Sequence, residues 1–461
     1  MVAGLSPHVP ALRTRMATAA EKVGPLQLAV ALGVALTAVA GTIGADARWL
    51  DALGRIIVRR GSIPNDIPWA SAPSEGWHNV PVLAELIFRG LIATAGDRGL
   101  LIAQVIAVGA ALAIIAWDLR REGAGELAGA LVLLIVVLGS LPVFVVVRSQ
   151  LFSVLLFPVL ISLLRADARA PGPRIWLLVP LIALWSNLHG AVLVGLAVAG
   201  AYLIFSRARR DPLEAAAVLV CSTLAVCVTP ALQHTPEYYW GLLRNEAARR
   251  GEGLWAPLSF TSGFDLLLIA ASVALLVLAL RSRPALWETI ALVGLAVLTF
   301  KTARSGVWLL FLAAAPAARS LHFGRDRTLQ LAAPALATAA LLTVFGVVRG
   351  PISTSAGRRV LDQALERAES APILADGSPA EQIAAAGGRV WMSNPIDAFS
   401  RRDQRLYLDW LAGRTSGDQA LRNARVVLVI RGSEPAKRLR RSKAFREATR
   451  DANAALYVRR R

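Results

Sequence analysis

The sequence has few of the residues that build disulfide or thiolate sites. Its only two cysteines, Cys221 and Cys227, lie within one apolar run. On a helix, side chains at this spacing point to different faces. No histidine or carboxylate clusters near them. The sequence therefore predicts neither a disulfide nor a metal site at these residues.

Signals of nucleic-acid and nucleotide binding are also missing. The net charge is +19, yet no basic run is interleaved with exposed aromatic residues that could stack on bases. We therefore expect no nucleic-acid partner, and we expect anionic lipid headgroups to meet the basic loops. The C-terminal part has no glycine-rich phosphate loop, so it predicts no nucleotide site.

Long apolar runs are what the sequence has in excess. It is 55% hydrophobic, with a mean hydropathy of +0.53. Uncharged runs of roughly 20 residues have the length that a helix needs to cross the hydrocarbon core. The sequence predicts an α-helical polytopic membrane protein with about eleven spans. The predicted spans are 26–45, 98–117, 126–147, 150–165, 174–188, 190–206, 214–233, 264–281, 285–300, 305–320 and 328–349.

The run at 26–45 and the stretch 174–206 each leave an alternative open. The run at 26–45 also has the shape of a cleavable signal peptide, but we favour a retained span because many spans follow it. The stretch 174–206 is interrupted only at Ser186–Gly190. This interruption predicts two short helices joined by a re-entrant turn or a tight hairpin.

The charges of the short loops predict an orientation. If residues 1–25 form a cytosolic N-terminal segment, the five basic loops between the spans all face the cytosol. We therefore predict a multi-pass plasma-membrane protein whose transmembrane domain covers 26–350. Its long loops at 46–97 and 234–263 would lie outside, and so would a C-terminal domain at 351–461.

The sequence predicts that the C-terminal domain is a small α/β unit. Short strands are predicted at 372–375, 389–392, 425–430 and 456–458. Helical patterns lie between them, at 379–387, 401–412 and 435–451. Strands that alternate with helices predict a small sheet with helices packed on it. A lid or docking module is the expected role.

Polar candidates for a site collect on the predicted outer side. Charged residues at the edges of spans are costly and often functional. The candidates are Asp46, Asp66, His78, Arg148, Asn187, His189, Lys301 and Arg304. Each also has a structural interpretation: a helix cap for Asp46, a turn for Asp66, a helix break for His189, and headgroup contact for the cations. Nearby Asp51 is expected to be a solvated helix residue.

Together these residue types suit sugar transfer from a lipid phosphate. A carboxylate can accept the proton of an acceptor hydroxyl, and cations can stabilise a leaving phosphate. Because nucleotide sugars are absent outside the cell, we expect a lipid-linked sugar as the donor there.

The order of the motifs resembles the C-type membrane glycosyltransferase superfamily. Within it, the chain is most similar to the bacterial protein-mannosyltransferase and aminoarabinose-transferase group. The resemblance spans about 26–325. It rests on Asp46-Ala47-Arg48-Trp49, Gly54-Arg55, Gly61-Ser62-Ile63-Pro64-Asn65-Asp66, Trp77-His78, Arg148-Ser149-Gln150-Leu151-Phe152-Ser153 and Trp185-Ser186-Asn187-Leu188-His189-Gly190.

The resemblance implies a polyprenyl-phosphate sugar as donor and a glycan, lipid or protein as acceptor. It assigns the catalytic base to Asp46, with Asp66 as second candidate. Lipid-phosphate contacts map to Arg148, Lys301 and Arg304. We further expect Asn187, His189 and His78 to bind substrate.

The adjacent acidic pair of many superfamily members is missing. No metal ligand is predicted; a divalent cation stays open as a cofactor, although no ligand cluster in the sequence supports one. A non-enzymatic membrane protein, such as a transporter or an envelope assembly factor, is the alternative function.

Overall fold

A computed structural model describes residues 24–323 and 332–460. The predicted cytosolic segment 1–25 therefore lies almost entirely outside the described residues. We number the elements in chain order. The helices of the N-terminal part are α1 Pro25–Ala40, α2 Ala45–Arg60, α3 Val82–Arg121, α4 Glu126–Gly139, α5 Leu141–Val145, α6 Gln150–Arg169, α7 Leu178–Ser186, α8 Val192–Phe205, α9 Pro212–Ala225, α10 Thr235–Arg244, α11 Glu246–Arg250, α12 Gly263–Arg281, α13 Leu286–Lys301, α14 Gly306–Arg319 and α15 Ala332–Arg349. Two short strands, β1 Thr42–Ile43 and β2 Val146–Val147, interrupt this series.

Each predicted span overlaps a helix, but the helices differ in length and in apolar character. Among the described residues, four helices are long and apolar enough to cross a membrane: Val82–Arg121, Gln150–Arg169, Val192–Arg209 and Gly263–Arg281. Five further apolar helices are only 10–17 residues long. The chain thus contains helices that could span a membrane, while the number eleven stays a prediction.

The predicted interruption of the 174–206 stretch is confirmed. Helix α7 ends at Ser186, and α8 begins at Val192. The first long loop, 46–97, also contains helical stretches. Residues 47–60 belong to α2, and residues 82–95 form the first part of α3, which bends at Gly96 where φ is +59°.

Small residues allow α1 and α15 to approach each other closely. A Cβ atom on Gly346 would lie 2.5 Å from the backbone carbonyl carbon of Ala38. Small residues at helix contacts permit this kind of approach between apolar helices. The contact brings the end of α15 beside β1, where the amide of Ile352 donates a 2.7 Å hydrogen bond to the carbonyl of Gly41.

A buried ion network lies at one end of the helix bundle. The guanidinium of Arg165 donates to Asp118 (2.5 Å), Glu288 (2.9 Å) and the carbonyl of Leu312 (2.9 Å). Arg319 reaches Glu288 at 3.4 Å. This network joins α3, α6, α13 and α14 at the end of the bundle opposite the two long loops. We call the end that carries those loops the loop end.

The C-terminal part folds around a four-stranded sheet, and its helices are α16 Arg358–Ala368, α17 Gly377–Ala385, α18 Arg401–Leu411 and α19 Glu434–Arg441. Its strands are β3 Leu374–Ala375, β4 Val426–Ile430, β5 Phe445–Arg450 and β6 Ala454–Arg459. The strand order is β3-β4-β6-β5, with β3 parallel to β4 and the other pairs antiparallel. The predicted α/β sheet is confirmed.

Two predictions for this part need correction. The helix predicted at 435–451 is wrong beyond Arg441, because residues 445–450 pair with β6 as a strand. Pairing with a neighbouring strand overrides the local helical pattern. The strand predicted at 389–392 is reduced to isolated bridges, in which Val390 pairs with Ala70 and with Ile373.

The C-terminal domain is docked on the first long loop. The amide of Ser71 donates to the carbonyl of Val390 at 2.9 Å, and the indole of Trp69 donates to the hydroxyl of Ser393 at 3.0 Å. Arg55 of α2 donates to the carbonyl of Ala385 at 2.6 Å. These contacts hold residues 393–397 above the start of α2.

Candidate functional site

A cavity of about 260 Å³ lies between the loop end of the bundle and the C-terminal domain. Four of the predicted site residues line it together: Asp46, Arg148, His189 and Arg304. They come from four separate parts of the chain. The rest of the wall is largely apolar and aromatic, with Trp49, Leu193, Leu242, Trp255 and Trp308 among its residues.

A short parallel strand pair brings Asp46 and Arg148 to the same edge. Strands β1 and β2 pair in parallel, and the amide of Gly44 donates to the carbonyl of Val147 at 2.9 Å. Asp46 follows β1 in the first turn of α2, and Arg148 directly follows β2. The carboxyl ends of parallel strands meet at one edge, so both side chains reach the cavity.

Glycine is required at position 44 by this close approach. A Cβ atom there would lie 2.8 Å from Cγ of Arg148 and 2.8 Å from the carbonyl oxygen of Val147. Gly44 is also the N-cap of α2, and no side chain caps this helix. Asp46 therefore does not cap α2 through a side-chain hydrogen bond. Its carboxylate does lie near the positive end of the helix dipole.

The two cavity arginines have no carboxylate bonded to them. Neither Arg148 nor Arg304 forms an ion pair with any residue of the described ranges 24–323 and 332–460. Arg304 instead lies over the ring of Trp255, 4.0 Å from its centroid. Nε of Arg148 is buried and has no hydrogen-bond partner among these residues. A buried donor without a partner is costly.

Arg304 stays charged despite its surroundings. Burial, together with the positive charge of Arg148, lowers its pKa to about 10, while Asp46 acts in the opposite direction. A guanidinium at that pKa remains protonated at neutral pH. The cavity therefore presents the positive charges of Arg148 and Arg304 beside the carboxyl group of Asp46.

His189 is held as a neutral ring between the two helices of the interrupted stretch. The hydroxyl of Ser153 lies 2.7 Å from Nδ1 and accepts a 2.7 Å hydrogen bond from the indole of Trp185. The amide of Ala191 also points to Nδ1, at 3.3 Å. Nδ1 is thus the acceptor, and Nε2 carries the proton. Burial, followed by the charges of Arg304 and Arg148, lowers the pKa of His189 to about 3.

A second, more apolar cavity of about 270 Å³ adjoins the first. Its wall combines the end of α4 and the residues after it with the start of α12, including Val143, Phe264 and Leu268. Arg148 and Arg304 line both cavities. An anion held by these arginines could therefore carry an apolar chain into the second cavity.

The C-terminal domain contributes polar groups to the first cavity. Asn394 and Asp397 line it, and Asp397 accepts a 3.2 Å hydrogen bond from the indole of Trp77. Burial raises the pKa of Asp397, although the bond from Trp77 opposes the shift. Glu381 lies behind Asn394, whose amide donates to it at 3.0 Å. Burial raises the pKa of Glu381 far above its usual range, and the charge of Asp46 raises it further.

The other four predicted site residues lie outside this cavity. Asp66 is a half-buried residue of the first long loop. Lys301 is exposed at the end of α13. Asn187 donates to the carbonyls of Ala183 (2.8 Å) and Val228 (2.6 Å), which fixes the end of α7. His78 stacks on another histidine, as described below.

Asp51 corrects a further expectation. It is buried rather than solvated, and its carboxylate bonds Arg55 at 3.1 Å and Arg89 at 3.2 Å. These bonds join α2 to α3. Asp51 therefore acts as a structural ion-pair residue.

Several cavity residues had no signal in the sequence. Asn394 and Asp397 reach the cavity only because the C-terminal domain docks on the first long loop. Ser153 belongs to the quoted motif at 148–153 and lies behind the cavity wall, and its bond to His189 is visible only in the structure. Tyr238 and Trp255 are aromatic residues of the second long loop, and aromatic residues in such loops more commonly have an interfacial role.

Comparison of the sequence with protein-family models and with characterised proteins finds no match.

Proposed function

We propose that this protein is a membrane glycosyltransferase of the C-type superfamily. It would transfer a sugar from a polyprenyl-phosphate donor to an acceptor at the outer face of the plasma membrane. The observation that carries this proposal is the convergence of Asp46, Arg148, His189 and Arg304 on one cavity. Scattered positions around the rim would have argued against it.

In the proposed reaction, Asp46 is the general base. Its carboxylate accepts the proton of the acceptor hydroxyl while the oxygen attacks the anomeric carbon of the sugar. The bond from that carbon to the phosphate oxygen breaks, and polyprenyl phosphate leaves. Attack opposite the leaving group inverts the anomeric configuration.

Arg148 and Arg304 hold the phosphate in this proposal. The phosphate gains negative charge as the bond breaks, so two fixed guanidinium groups stabilise the transition state more than the ground state. The lining position of both guanidinium groups, and the absence of an ion-pair partner for either among the described residues, support this role.

His189 acts as a hydrogen-bond donor rather than as an acid or base. With a pKa near 3, the ring stays neutral at physiological pH. Its Nε2–H can donate to a sugar hydroxyl or to a phosphate oxygen. Ser153 and Trp185 fix the ring for this purpose.

The second cavity fits the polyprenyl chain of the donor. It is mostly apolar, it begins at the two arginines, and exposed Phe264 lies at its edge. A phosphate between Arg148 and Arg304 would direct its lipid tail toward α4 and α12. We also propose that the chain crosses the membrane eleven times, with the N-terminus in the cytosol and the C-terminal domain outside.

The decisive experiment compares Asp46→Asn with Asp66→Asn. Purified protein is incubated with a small panel of polyprenyl-phosphate sugars, and released polyprenyl phosphate is measured by mass spectrometry. Loss of a positioned general base lowers rates by about 100- to 10,000-fold. We expect that loss for Asp46→Asn, with normal expression, and wild-type rates for Asp66→Asn.

Full activity in Asp46→Asn would refute the assignment of the base. Donor binding without release in the wild-type protein, over the whole panel and with added acceptors, would favour the transporter or assembly-factor alternative. Arg148→Gln and Arg304→Gln should each weaken donor binding, whereas Lys301→Gln should leave it unchanged.

A further inference from the structure

Two histidines from distant parts of the chain lie stacked beside the cavity. His78 belongs to the first long loop, and His234 closes the turn that precedes α10. Their ring centroids are 4.2 Å apart, with an angle of 17° between the ring planes. Neither histidine has a neighbour in the sequence that would reveal the pairing.

A carboxylate completes the group. An oxygen of Glu237, in the first turn of α10, lies 3.8 Å from Nε2 of His78 and 3.6 Å from Nδ1 of His234. One ligand atom from each residue lies within 4.8 Å of the others. Within 24–323 and 332–460 this is the one group of three or more histidine, cysteine or carboxylate side chains with such spacing.

The distances are close to those of a bound metal. Zn²⁺ bonds of about 2.0–2.1 Å in tetrahedral geometry place neighbouring ligand atoms about 3.4 Å apart. The two carboxylate–imidazole distances exceed that value by only a few tenths of an ångström. The ligand nitrogens of the two rings lie within 4.8 Å of each other, and the rings are stacked nearly parallel. Because the lone pair of an imidazole nitrogen lies in the plane of its ring, binding one ion requires one of the two rings to turn. All three side chains are about one-third or more exposed, which leaves room for that turn.

We propose that His78, His234 and Glu237 form a Zn²⁺ site that ties the first long loop to α10. Two imidazoles and one carboxylate are the donor set that this ion favours when a fourth position stays open to water. The inference does not depend on the proposed transferase activity.

The position of the site gives it a consequence for the cavity. Tyr238 and Leu242 of α10 line the cavity, and so does Pro81, which follows His78 in the first long loop. A metal ion that joins these two segments holds both sides of the cavity wall together. Zn²⁺ would therefore stabilise the cavity without touching the reacting groups.

The test is Zn²⁺ binding to the full-length protein in detergent after chelator treatment. Calorimetry should show one equivalent of high-affinity Zn²⁺, and Co²⁺ in its place should give the visible absorption of a four-coordinate site. Glu237→Gln and His234→Gln should lower the affinity by at least about 100-fold, because loss of even an outer-shell partner costs about 10- to 100-fold. The melting temperature should rise with Zn²⁺ only in the wild-type protein.

Matched controls separate this site from surface binding. Glu75→Gln and His322→Gln change an exposed acid and an exposed histidine outside the group, and both should bind like the wild type. The Glu237 side chain is 74% exposed, so its substitution should not disturb folding. Absence of saturable binding in the wild type, or equal binding in Glu237→Gln and His234→Gln, would overturn the proposal.

Discussion

Replacing Arg165 with Met should destabilise the whole helix bundle. The Arg165 side chain is only 5% exposed, and it bonds two carboxylates that are equally buried. Methionine has a similar length but no charge. In Arg165→Met, Asp118 loses its ion-pair partner and Glu288 keeps only the longer contact to Arg319.

The size of the effect follows from the buried charge that remains. Removing one partner of a buried ion pair costs about 3–5 kcal/mol, mostly because the other charge is left uncompensated. The unfolding entropy is about 2.1 cal/mol/K per residue, so the chain as a whole has roughly 1 kcal/mol/K. The melting temperature should therefore fall by about 3–5 °C.

The assay is thermal unfolding of the detergent-solubilised protein, followed by intrinsic fluorescence and by recovery on size exclusion. Adding Asp118→Asn to Arg165→Met should restore part of the loss, because the orphaned charge is removed. Arg358→Met is the control, since Arg358 is 94% exposed and pairs with an exposed aspartate. A wild-type melting temperature for Arg165→Met would refute the reasoning.

Three further predictions concern the loop end and the C-terminal domain. Gly44→Ala should cost about 1–3 kcal/mol of stability and weaken donor binding, because the new Cβ displaces Arg148. Thermal melting measures the first effect and titration with the donor measures the second. Unchanged donor binding would contradict the prediction. In the folded protein the pKa of His189 lies below its ordinary value of 6.5. The stabilising contribution of the neutral ring is therefore complete above pH 6.5 and falls as the pH drops toward 3. Between these two pH values, the melting temperature of His189→Gln should vary less with pH than that of the wild type. Burial raises the pKa of Asp376 to about 6, so the stabilising contribution of its protonated form is lost as the pH rises from 3.8 through 6. Over this pH range, Asp376→Asn should gain stability relative to the wild type. A stability difference between the two proteins that stays constant with pH would refute the role of this carboxyl.

The sequence alone determined the local features of this protein. Apolar runs and turn residues located the helices, and the interruption at 186–190 located the end of α7 and the start of α8. Composition also separated the apolar part from the α/β part. These features depend on neighbours along the chain, which periodicity and propensity report directly.

Tertiary structure decided which candidate residues share a site. Asp46 and Arg148 meet because two-residue strands pair in parallel, and strands that short leave almost no pattern in a sequence. Asp51 and Asp46 looked alike as acids of one helix, yet packing of α2 against α3 buried the first and left the second at the cavity.

Contacts between distant segments also placed Asp397 in the cavity and joined His78 to His234. Each of these contacts depends on how whole elements pack. The sequence therefore supplied the chemical groups of the candidate site, and the packing of the C-terminal domain and the long loops determined which of them came together.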